Sequence, residues 1–157
     1  MSHVLVLFQA NTEPVEQLAL AVAVGAVEAK GSIRLRRLAA PDAPEVGHKS
    51  YGKLHAADLV WANVIVVGLE DTNTNPDELG PLFELLRASD LSGRRGWTFG
   101  SLGPDMPPTV AQLEVAKAFE AARVTMLPPG TAVGLDGLIA RMKEWGGFSA
   151  RNNERDV

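Results

Sequence analysis

The sequence predicts an α/β fold: a doubly wound three-layer sandwich with a five-stranded parallel sheet of order 2-1-3-4-5. Two observations predict it. Short apolar or alternating runs recur along the chain, and stretches of helical periodicity separate nearly all of them. Right-handed crossovers then leave few ways to order five such strands.

The expected strands are Val4 to Phe8, Ile33 to Leu38, Val64 to Val67, Trp97 to Ser101 and Val124 to Leu127. Continuous apolar runs suit interior strands covered on both faces. The alternating Ile33-Arg-Leu-Arg-Arg-Leu38 suits an edge strand with one wet face. The first helix is expected over Pro14 to Lys30, with Pro14 tolerated in the first turn and Gly31 as the stop. Further helices are expected over Asp77 to Ala88, Thr109 to Ala122 and Leu135 to Trp145, the last ended by Gly146-Gly147. The connection Ala39 to Gly52 is rich in Pro, Gly and Ala, and a short helical piece near Leu54 to Trp61 follows it.

A length of 157 residues makes one domain, placed at 1–150 with a polar tail at 151–157. The 46% hydrophobic and 22% charged fractions support a sizeable core. A net charge of −4 without a basic block argues against nucleic acid as a partner. With no cysteine, disulfides and thiolate metal sites are excluded. The opening Met-Ser-His does not read as a signal peptide, and no apolar run reaches the ~20 residues that span a bilayer. These features predict a cytoplasmic protein with no membrane partner.

Four stretches carry a family resemblance: Val4-Leu-Val-Leu-Phe8, Leu18-Ala-Leu-Ala-Val-Ala-Val-Gly-Ala26, Ala57-Asp-Leu-Val-Trp-Ala-Asn-Val-Ile-Val-Val-Gly68 and Gly93-Arg-Arg-Gly-Trp-Thr-Phe-Gly-Ser-Leu-Gly103. Together they resemble the flavodoxin-like superfamily, and within it the tryptophan-repressor-binding-protein-type NAD(P)H:quinone oxidoreductases and FMN reductases. The resemblance implies FMN at the strand tips, held by three loops, with the flavin carrying hydride chemistry. The first loop corresponds to Ala10, Asn11, Thr12, Glu13, Pro14 and Val15. The second carries Glu70, Asp71, Thr72, Asn73 and Asn75, and the third Ser101, Leu102 and Gly103.

The framework matches better than the loops. The family's phosphate-binding serine falls on Ala10, its close-approach glycine on Glu13 and its helix-opening threonine on Gln17. In the second loop a proline has become Glu70 and an aromatic has become Asn73; in the third, Asp105 adds an acid. A phosphate monoester carries about −1.5 to −2 charges. Each unit repulsion at ~4 Å costs ~1 kcal/mol in water and ~4 kcal/mol at an effective dielectric near 20. FMN is therefore expected to be absent or weakly bound, with Glu13 itself filling the anion site. The alternative to an FMN-dependent reductase is a non-redox binding or oligomerisation module, and a homo-oligomer is an expected partner state. Glu13 and Glu16 also have an ordinary use, since carboxylates in a first helical turn favour the macrodipole.

Other chemistry is less well supported. Asp71-Thr-Asn-Thr-Asn75 begins like a calcium loop, but Pro76 replaces the turn glycine and Leu82 the closing glutamate. A phosphorelay receiver needs an acidic pair where Gln9-Ala10 stand. His3, His48 and His55 are too scattered for a metal centre, and Ser101 lacks a nucleophile-elbow context. Trp61, Trp97 and Trp145 read as core or interface anchors, and Tyr51 as an exposed aromatic.

Overall fold

In a computed structural model the described residues form, in order, β1 (His3–Phe8), α1 (Glu13–Glu28), β2 (Ser32–Arg37), α2 (Ala56–Trp61), β3 (Val64–Gly68), α3 (Pro76–Arg87), β4 (Arg95–Phe99), α4 (Val110–Ala121) and β5 (Thr125–Met126). The structure describes residues 3–9, 13–38, 52, 54–70, 76–100, 110–126, 143 and 146–147. All strand pairs are parallel, in the order β2-β1-β3-β4-β5. The expected class and strand order are therefore those observed.

Strand pleating divides the core in two. Val4, Val6 and Phe8 of β1 join Val64, Val66, Trp97 and Phe99 beneath Val15, Leu18, Val22 and Ala26 of α1. The intervening Leu5, Leu7, Ile65 and Val67 face the other layer, with Leu59 of α2, Leu79 and Leu82 of α3, and Val115 and Phe119 of α4. Both faces are covered, which is why β1 and β3 read as unbroken apolar runs. None of the described helices is long and apolar enough to cross a membrane.

Several boundaries differ from expectation for identifiable reasons. β4 starts at Arg95 rather than Trp97, because backbone pairing begins opposite Val64 before the apolar residues do. Helix α1 ends in a left-handed residue at Lys30 (φ 68°), not at Gly31. The Gly31 and Lys30 N–H groups return to the Ala26 and Val27 carbonyls at 2.8 and 2.9 Å, the paired bonds of a Schellman cap. Helix α4 ends in the same way, with Arg123 at φ 71° and the Val124 and Arg123 N–H groups on Phe119 and Glu120.

Two corrections concern packing. Gly146 and Gly147 are helical, so the pair does not stop the last helix where expected. Gly146 instead lets backbone meet backbone: a Cβ there would overlap the Val22 carbonyl of α1, and one on Gly25 would overlap the Lys143 carbonyl. The supposed wet face of β2 is also not simply wet. Ile33 and Leu35 turn toward α1, whereas the partly buried Arg34 and Arg36 reach the buried carboxylate of Asp58 on α2.

Candidate functional site

In a parallel sheet of this order, ligands bind outside the carboxyl ends of the strands, at the switch between β1 and β3. Phe8, Gly68 and Phe99 form one row across that edge. The ladder runs one residue further: the Gln9 N–H donates to the Gly68 carbonyl at 3.0 Å and the Leu69 N–H to the Phe99 carbonyl at 2.9 Å. The connections to α1, α3 and α4 all leave from this edge, so the topology directs the three predicted loops to one side of the sheet.

Gln9 is the residue that sequence reasoning passed over. Its side chain is fully buried, and its Oε1 accepts the Glu70 N–H at 2.8 Å. A buried amide needs such a partner, and this bond ties the end of β1 to the segment leaving β3. The available signal was a polar residue directly ending an apolar strand at the switch point.

Gly68 has a steric role at the same edge. A Cβ there would lie 2.5 Å from Cζ and 2.9 Å from Cε2 of the Phe99 ring. Phe8 and Phe99 are both fully buried, so their rings floor the edge on the α1 side rather than offering a stacking surface. Gly68→Ala is expected to destabilise by about 2 kcal/mol, because a buried ring cannot withdraw without displacing its neighbours. A chemical denaturation curve with an unchanged midpoint would contradict that packing.

Among the predicted loop residues, the structure places four: Glu13, Pro14, Val15 and Glu70. Glu13, Pro14 and Val15 lie in the first turn of α1, where Val15 is buried in the core; Glu16 completes that turn and is half-buried. Glu70 is half-buried beside the Gln9 bond. Ala10, Asn11, Thr12, Asp71, Thr72, Asn73, Asn75, Ser101, Leu102 and Gly103 lie outside the described residues, as do the side chains of Glu13 and Pro14. The calcium-like run 71–75, Asp105, His48, Tyr51, Trp145 and the expected Thr109 cap also lie outside them.

A phosphate at a helix N-terminus needs free N–H donors and no competing negative charge. The first turn of α1 is Glu13-Pro14-Val15-Glu16: it carries two carboxylates, and Pro14 removes one donor. This donor set does not fit a flavin phosphate. Acidic residues in a first helical turn instead favour the helix dipole.

A second polar cluster lies beside β2, where α2 packs. Asp58 is 3% exposed and accepts from Arg34 Nη1 at 3.1 Å, Arg36 Nε at 3.2 Å and the His55 N–H at 2.9 Å. Burial pushes its pKa up, but the His55 N–H bond, the Arg36 charge and the bonds from both guanidinium groups outweigh it, leaving the carboxyl below its ordinary value. His55 is the N-cap of α2, and Asp58, the third residue of the helix, closes its capping box. The His3 ring stacks on Trp61 at 4.5 Å and 2°, its Nδ1 lies 3.0 Å from the Trp61 carbonyl oxygen, and Arg34 sits 4.4 Å from the Trp61 ring centre. Both described histidines thus serve structure. Among the described residues, no group of three His, Asp or Glu is placed to hold a metal ion.

No family model matches the chain, and no curated protein matches it in sequence. Solved structures do. A flavodoxin of Streptococcus pneumonia TIGR4 superposes with a TM-score of 0.68 at 16% identity, covering 96% of this chain and 99% of that one. A short-chain flavodoxin associated with a non-canonical PDU bacterial microcompartment gives 0.69 at 15%, covering 98% and 99%. Oxidised Flavodoxin 1 from Bacillus cereus gives 0.67 at 17%, covering 96% and 98%. At these identities the likeness defines the fold. The chain has a flavodoxin-like fold.

Proposed function

We propose that this flavodoxin-like protein is related to FMN-dependent NAD(P)H:quinone oxidoreductases, and that its strand-tip mouth binds FMN weakly or not at all. One observation carries the reading: α1 opens on Glu13-Pro14-Val15-Glu16 where a phosphate would need bare N–H groups. Glu70, on the segment leaving β3, adds a third acid to the same edge. The two buried phenylalanines beneath that edge contribute packing and leave no described aromatic face for an isoalloxazine. A second reading, a non-redox binding or oligomerisation module, is favoured by the exposed Val60, Val110 and Leu113 on one helical layer.

Removing a charge at the mouth tests the reading. The double change Ala10→Ser with Glu13→Gly restores a hydroxyl and removes one carboxylate. It is expected to tighten FMN binding by at least about tenfold, the equivalent of one unit repulsion of ~1–2 kcal/mol. A double variant with unaltered FMN affinity would show that the first turn of α1 is not what excludes the phosphate. Protein that purifies yellow, with stoichiometric flavin, would overturn the proposal outright.

A further inference from the structure

We draw no further inference here: the strongest candidate, the side-chain cluster beside β2 in which Arg34 and Arg36 meet the buried Asp58 next to the His3–Trp61 stack, carries nothing beyond the packing of α2 already described, since its charges pair with one another and nothing among the described residues shows what would bind it.

Discussion

Gly25→Ala is expected to lower the stability of the fold by about 3 kcal/mol, a drop in melting temperature of about 10 °C for a chain of this length. Helix propensity alone argues the other way, since alanine exceeds glycine by ~1 kcal/mol in a helix interior. Space decides the sign. A Cβ on Gly25 would overlap the Lys143 carbonyl, and the obstacle is backbone rather than a side chain that could rotate aside. On the opposite side of the contact, a Cβ on Gly146 would overlap the Val22 carbonyl and lie 3.0 Å from the Ala26 N. Relief requires the 143–147 segment to move off α1, which exposes part of α1's packed surface. Gly146→Ala should cost a similar amount. The double variant should cost little more than either single one, because one separation relieves both overlaps. Thermal melts of the three variants check this, and a neutral or stabilising Gly25→Ala would contradict the contact.

Asp58→Ala is expected to cost about 3 kcal/mol, since it removes the partner of two guanidinium groups and the capping-box acceptor of α2. Arg34 and Arg36 keep 34% and 27% of their side-chain surface in water, which limits the penalty of leaving them unpaired. Asp58→Asn retains a cap acceptor and should cost roughly half as much. The pH dependence has a definite sign. The folded carboxyl titrates below its ordinary 3.8, so its contribution is present above that pH. It is lost as pH falls through the lower folded value. Denaturation midpoints measured from neutrality down into this acid range should fall more steeply for the wild type than for Asp58→Asn. Parallel curves would show that Asp58 is not held ionised by Arg34 and Arg36.

The fold was legible because apolar runs and helical stripes alternate cleanly, and because handedness rules select one strand order. Packing against particular backbones was not legible. Gly146-Gly147 looks like a helix stop in one dimension, whereas only the structure brings α1 against it. Lys30 in a left-handed turn, one residue before a glycine that could take that role, is hidden for a similar reason: the cap bonds fix the position. The Asp58 cluster joins residues 22 and 24 positions apart, so no local pattern announces it. At the mouth, topology located the edge and identity revealed the acids of α1. The role of Gln9 emerged only when the tip of β1 lay beside Glu70. Its polarity marked the position without naming the partner.

The central claim concerns the chemistry of that edge: a flavodoxin-like frame whose first helical turn carries two acidic residues and a proline. Calorimetric titration of FMN into the purified, flavin-free chain tests it most directly, with riboflavin titrated in parallel to remove the phosphate. The account predicts no saturable heat for FMN, or an affinity no better than that for riboflavin. Tight one-to-one binding of FMN that is lost with riboflavin would contradict it, because the phosphate would then be a source of affinity.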